Sequence, residues 1–242
     1  MKTIISDYFK TIDRYGKKRN ILENIFFNQD IKSINEFIAN GNKFIVYTNE
    51  PFLEIQDELK RNKMNYSYLS SYNGLITMDN KNNIVLANYL SQYVIEYIRQ
   101  YFKKNYYDIE LIQCYNETGS KIISDKTNFL MIGLDFYNDE KAGDFIDEIK
   151  FIFKELEIKM IGKTVCIKNF INKEKGVDNL TEKIEELKIM RDNIFILGND
   201  DLYDYTLIIK YNGFVFRGSY ISQMLESDKQ VSSVKSLIKK IK

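Results

Sequence analysis

The chain has 242 residues, 44% of them hydrophobic and 29% charged, and sets 35 Lys and Arg against 34 Asp and Glu. A net charge of +1 lacks the basic excess usual in a nucleic-acid binder and gives no compositional support for that role. No apolar run nears the roughly 18 residues of a membrane span and no signal-peptide core is evident, so a cytoplasmic protein without membrane or nucleic-acid partners is expected. Histidine is absent, which removes Ser-His-Asp and Cys-His triads and every histidine-containing zinc site. Cys114 and Cys166 lie in the apolar runs "LIQCY" and "TVCIKNF" and read as buried, reduced thiols. Chemistry is left to carboxylates, lysines, hydroxyls and a hard metal ion.

The first 77 residues alternate strand and helix signals. "TIISDYF" opens with a buried strand, and "DIKSINEFIAN" sets Ile31, Ile34, Phe37 and Ile38 on one helical face before Gly41 stops it. "KFIVYT" is a second strand, Pro51 suits the first turn of a helix over 51–62, and "YSYLSS" is a third extended piece ending at Asn73-Gly74. This β-α-β-α-β order predicts a doubly wound parallel α/β sheet.

The pattern then changes. "GLITMDNKNNIVLAN" is a hairpin by composition, followed by the helix "SQYVIEYIRQYFKKN", two strand runs, a helix near 139–156 and "EIKMIGKTVCIKNF". These signals predict an α+β domain over 78–167, inserted into a core made of 1–77 and 168–242. Tyr93, Tyr97 and Tyr101 fall four apart on one helical face; a packed helix is the favoured reading over a stacking surface. The strand–helix alternation resumes with "VDNLTEKIEELKIM", "NIFILG", "YDYTLIIKY", "GFVF" and the basic "SSVKSLIKKIK".

Asp7, Thr48, Lys175 and the group Asp200, Asp201 and Asp204 each lie just past a strand or at a helix start, where open α/β sheets bind their ligands. The set suits phosphoryl transfer. One carboxylate serves as nucleophile, others hold Mg2+ through hard oxygen donors, and a hydroxyl and an ammonium neutralise the phosphoryl oxygens.

In their order these segments resemble the haloacid dehalogenase superfamily, and within it the Cof-type sugar-phosphate phosphatases. "IISDYFKTI" is similar to that family's first motif, Asp-x-Asp-Gly-Thr, and "FIVYTNEP" to its strand ending in Thr-Gly-Arg. "NKEKGVDNL" resembles the lysine-bearing third motif, "ILGNDDLYDYTLI" the acidic fourth, and the insert matches the family's α+β cap in place and size. The resemblance implies Asp7 as nucleophile and Mg2+ ligand, Thr48 as the phosphate-binding hydroxyl and Lys175 as the neutralising lysine, with Lys173 as its alternative. It implies further Mg2+ ligands in the Phe9 carbonyl, Asp200 and Asp204, with Asp201 as an alternative, and a small phosphorylated metabolite as substrate. Three positions depart from the pattern: Phe9 replaces the second aspartate, the general acid and base; Lys10 replaces the following glycine; and Glu50 replaces the arginine of the second motif.

Overall fold

The computed structural model describes residues 1–16, 18–105, 107–116, 119–121, 128–198 and 202–241. The chain forms two compact units, Met1–Leu86 with Asn172–Lys242, and Ala87–Ile171. In chain order the first unit contributes β1 (Thr3–Ser6), α1 (Ile21–Ala39), β2 (Lys43–Tyr47), α2 (Phe52–Arg61), β3 (Tyr68–Ser71), β4 (Ile76–Asp79) and β5 (Ile84–Ala87). The second holds α3 (Gln92–Lys104), β6 (Ile109–Asn116), β7 (Gly119–Lys121), β8 (Met131–Phe136), α4 (Asp139–Ile152), β9 (Leu156–Ile161) and β10 (Thr164–Asn169). The first unit is then completed by α5 (Lys173–Lys183), α6 (Glu185–Ile189), β11 (Ile194–Gly198), α7 (Leu202–Lys210), β12 (Phe214–Phe216), β13 (Gln230–Val231) and α8 (Val234–Ile241).

The core sheet runs β13-β12-β11-β1-β2-β3-β4-β5. Its pairings are parallel from β13 through β3 and antiparallel between β3 and β4. Central β1 is in register with both neighbours, Thr3 lying opposite Ile194 and Lys43. Ile5, Ile45, Ile194 and Ile196 pack with Val177, Leu180, Leu187 and Leu207 of α5, α6 and α7. Side chains alternate along a strand, so Ile4, Phe44 and Val46, all fully buried, face the other side of the sheet. Burial on both faces is why these strands read as unbroken apolar runs. Asp30 of α1 accepts a bond from the Lys235 amide at the start of α8 (2.9 Å) and pairs with Arg14 (3.5 Å), tying the last helix to the first.

The hairpin of β4 and β5 belongs to this sheet, so the boundary between units falls after Leu86 and not at the expected 77/78. An antiparallel hairpin following parallel strands looks like the start of a new domain in sequence, yet here it extends the edge of the old one.

The second unit is a five-stranded antiparallel sheet, β7-β6-β8-β10-β9. Its core joins Val94, Ile95 and Ile98 of α3 and Phe145 and Ile149 of α4 to Ile132, Leu134, Val165 and Ile167. Of the tyrosine stripe of α3, Tyr97 and Tyr101 pack against this core, whereas Tyr93 is largely exposed. Tyr93 and Tyr97 meet Phe153 edge-on, with centroids 5.5 and 5.3 Å away, and Tyr101 leans on Phe145 at 4.5 Å. Cys114 is buried in this core, whereas Cys166 is only half-buried. Among the described residues no helix is long and apolar enough to cross a membrane.

Candidate active site

Parallel β1 and β11 end at Ser6 and Gly198, and three side chains meet just beyond them. Asp7 follows β1 directly. Its Oδ1 accepts the Tyr8 amide at 2.7 Å, and its Oδ2 lies 3.3 Å from the Lys173 ammonium. The same ammonium bonds Oδ1 of Asp204, in the first turn of α7. Asp204 is 3% exposed and reaches inward because Gly198 leaves room: a Cβ there would lie 2.8 Å from the Asp204 Cβ. A cavity of about 10 Å³ beneath this triad is lined by Asp7, Tyr47, Lys173 and Asp204 among others.

Burial pushes the Asp7 carboxyl above the ordinary carboxylate range; Lys173 pulls it back and Asp204 pushes it further up. Burial alone would lower the Lys173 ammonium, but Asp204 and Asp7 outweigh it and hold the lysine above its usual value. The Lys173 charge is therefore supported by its two partners, whereas burial leaves the Asp7 carboxylate net disfavoured.

The lysine at Asp7 is Lys173, not Lys175. Asn172 caps α5 by accepting the Lys175 amide at 2.7 Å, which makes Lys173 the first residue of the helix. From there its side chain reaches the strand ends, while the Lys175 side chain is exposed. Gly176, which marks Lys175 in sequence, has a packing role. A Cβ on it would lie 1.9 Å from the Tyr47 hydroxyl and 2.2 Å from the Asn73 carbonyl. Buried Tyr47 donates to the Lys173 carbonyl at 3.3 Å. The turn Tyr72-Asn73-Gly74, with φ of 51°, 56° and 92°, presses onto the same first turn of α5. Asn and Gly are the residues that accept such a left-handed path.

Thr48, just past β2, is buried, and its Oγ1 accepts the Glu50 amide at 3.2 Å. Its main chain is fixed on both sides, by the Ser70 carbonyl and the Asn73 amide, each at 2.9 Å. It stands at the same end of the sheet as Asp7, with its hydroxyl turned to its own loop. Asp200 and Asp201 lie outside the described residues. Among the described residues no three acids, cysteines or histidines gather as a metal centre; the oxygen donors that converge are those of Asp7 and Asp204.

The loop after Asp7 contains features that sequence reading missed. The Asp13 amide donates to the Tyr8 carbonyl at 2.8 Å, and the Lys10 amide to the Asp13 carbonyl at 3.1 Å. Lys10 has φ of 60°, a conformation that suits the glycine it replaces. Phe9 forms a bridge to Asp13 and meets Tyr8 edge-on at 5.1 Å. Asp13 itself is clamped by Arg19, at 2.5 and 3.2 Å, and by the Gly16 amide at 3.0 Å. The buried Tyr8 hydroxyl accepts a bond from Asn62 at 2.8 Å. An Asp, an Arg and a Gly within seven residues signal such a clamp, but the Tyr8–Asn62 bond has no local signature.

Residues 24–197 match the profile of the haloacid dehalogenase-like hydrolases. The chain belongs to that family. Its fold is similar to TM0651 of Thermotoga maritima, at 14% identity and a TM-score of 0.67, covering 100% of this chain and 97% of the other. A haloacid dehalogenase-like hydrolase of Bacteroides thetaiotaomicron gives 13%, 0.63, 100% and 99%. A putative HAD/COF-like hydrolase of Plasmodium vivax gives 14%, 0.58, 100% and 95%. No curated protein matches the sequence. The profile match includes Thr48 and Lys173 but stops short of both Asp7 and Asp204, so the haloacid dehalogenase fold is established independently of the acids that would do its chemistry.

Proposed function

We propose that this haloacid dehalogenase-like protein is a Mg2+-dependent phosphatase of small phosphorylated metabolites of the sugar-phosphate type. It would work through an aspartyl-phosphate on Asp7 and be slowed by Phe9. The observation that carries this reading is the Lys173 ammonium between Asp7 and Asp204 at the ends of β1 and β11. In this reading Asp7 attacks phosphorus, with its carboxylate oriented by the Tyr8 amide. Lys173 offsets the charge on the phosphoryl oxygens, and the Thr48 hydroxyl, an acceptor for the Glu50 amide, still has its own proton to donate to them. Lys173 takes the role that the sequence pattern gives to Lys175, and Ala87–Ile171 is read as the inserted cap that chooses the substrate.

The converging carboxylates form an all-oxygen donor set, the kind Mg2+ prefers. Asp7, Asp204, Asp200 and the Phe9 carbonyl would hold the ion. Bound there, it supplies positive charge against the transferring phosphoryl group.

A second reading has a specific basis. Phe9, Lys10 and Glu50 remove an acid, a glycine and a cation from the expected pattern, as in a silent relative that only binds a phosphorylated ligand or a protein partner. A panel of phosphomonoesters separates the two. We expect measurable hydrolysis with Mg2+, lost on chelation and absent in Asp7→Asn. Equal rates for native protein and Asp7→Asn contradict the enzymatic reading; saturable binding without turnover of any substrate favours the silent one.

A further inference from the structure

We propose that the outer edge of β9 is a self-association surface, along which two copies of this chain join their antiparallel sheets. The proposal is independent of the phosphoryl-transfer reading. It begins with an open edge. β9 ends the order β7-β6-β8-β10-β9, and among the described residues it pairs only with β10. The direction of its backbone groups follows from the register. Glu155, just before the strand, accepts the Phe170 amide of the β10 side at 3.0 Å. In an antiparallel ladder every second residue bonds the same neighbour. Glu157, Lys159 and Ile161 therefore bond β10, whereas Leu156, Ile158 and Met160 direct their N–H and C=O groups outward. Such a row is a template for another strand. Side-chain exposure rises along it too, with Met160 39% and Ile161 66% exposed, while Val165 and Ile167 of β10 are fully buried.

A second copy is the occupant that fits, because the row is complementary to itself. A two-fold axis at Ile158 sets Ile158 opposite the partner's Ile158 and Leu156 opposite the partner's Met160. All of these are outward-pointing residues, so each pair exchanges two backbone hydrogen bonds. Their side chains meet on the apolar face, where Leu156 and Ile158 already pack with α3 and α4. On the other face the same register sets Glu157 opposite the partner's Lys159, once on each side of the axis. These are the non-hydrogen-bonded pairs, in which side chains approach most closely and opposite charges are favourable. Within one chain Glu157 holds Lys159 at 2.6 Å and Lys168 at 3.4 Å, so its carboxylate has cations beside it before and after association. Moving the axis by one residue sets Glu157 against Glu157, or Lys159 against Lys159. Charge selects one register. A lone pair of such strands falls short of the roughly 800 Å² a side of a standard interface, so the dimer is reversible and concentration-dependent.

Sedimentation of the full chain at concentrations up to about 1 mM, the weak end of specific association, is the test. Native protein should pass reversibly from monomer to dimer. The amides of Leu156, Ile158 and Met160 should exchange more slowly in the concentrated sample. Glu157→Lys and Lys159→Glu each place like charges across the axis, and each should weaken self-association about tenfold or more. Mixed one to one, the two variants meet with opposite charges only and should associate about as tightly as native protein. Variants that had merely lost their fold would not recover in this way. Native protein that stays monomeric throughout overturns the proposal. A dimer unmoved by either variant lies elsewhere and overturns the assignment to β9. Two weakened variants that remain apart when mixed overturn the pairing of Glu157 with the partner's Lys159.

Discussion

Replacing Phe9 with aspartate should raise the hydrolysis of alkyl phosphates by about 10²–10⁴-fold, the usual contribution of a general acid. The gain should be much smaller for aryl phosphates, whose leaving groups depart with little help. The ratio of the two gains is the informative quantity, because a variant that merely opened the site would accelerate both. Lys10 already holds φ of 60°, a left-handed bend that glycine adopts without steric cost. For a residue other than glycine this conformation costs about 1–2 kcal/mol. Adding Lys10→Gly should therefore stabilise the loop without moving it. Native protein that turns over a sugar phosphate at about 10 s⁻¹, a typical enzymatic rate, would mean that another group delivers the proton. Glu50, beside Thr48, would be the first to replace.

Gly176→Ala should destabilise the first unit by about 3 kcal/mol or more, at or above the upper end of ordinary overpacking. The added methyl would fall on the Tyr47 hydroxyl and the Asn73 carbonyl, and neither has an easy retreat. Tyr47 is 1% exposed, and the amide of Asn73 is bonded to Thr48. Gly143 is the control. It lies within α4, and a methyl placed on it would meet nothing within 4 Å, so Gly143→Ala should add about 0.5–1 kcal/mol through helix propensity. Urea unfolding of the two variants checks both signs. Equal stabilities would mean that the joint of Tyr47, Asn73 and Gly176 is looser than its distances imply.

The doubly wound sheet is legible in the sequence because its strands are buried on both faces and cannot alternate with polar residues. Asp7 and Asp204 are legible too, since an acid just past an apolar strand or in the first turn of a helix stands out from either side. Lys175 misleads. Its adjacent glycine looks like part of a phosphate site, whereas Gly176 is needed for close packing against Tyr47, a contact between residues far apart in the chain. The capping Asn172 and the buried spacing of Val177, Leu180 and Ile184 set the phase of α5 and point to Lys173. The hairpin 76–87 reads as part of the insert because an antiparallel pair breaks the parallel rhythm, and composition cannot tell which sheet a hairpin joins. The clamp of Arg19 on Asp13 lies within seven residues of chain, whereas the bond of Asn62 to Tyr8, which also fixes this loop, spans 54 residues and has no local pattern.

Asp7 and Lys173 are the working pair on which the proposed chemistry stands, and aryl phosphate hydrolysis by four proteins tests that most directly. Native protein and Lys175→Met should hydrolyse p-nitrophenyl phosphate at rates within about twofold, since an exposed side chain away from the triad contributes little. Asp7→Asn should be inactive, and Lys173→Met should lose at least a hundredfold, as when a charge-stabilising group is removed from a reacting centre. Loss of activity in Lys175→Met with retention in Lys173→Met would contradict the account.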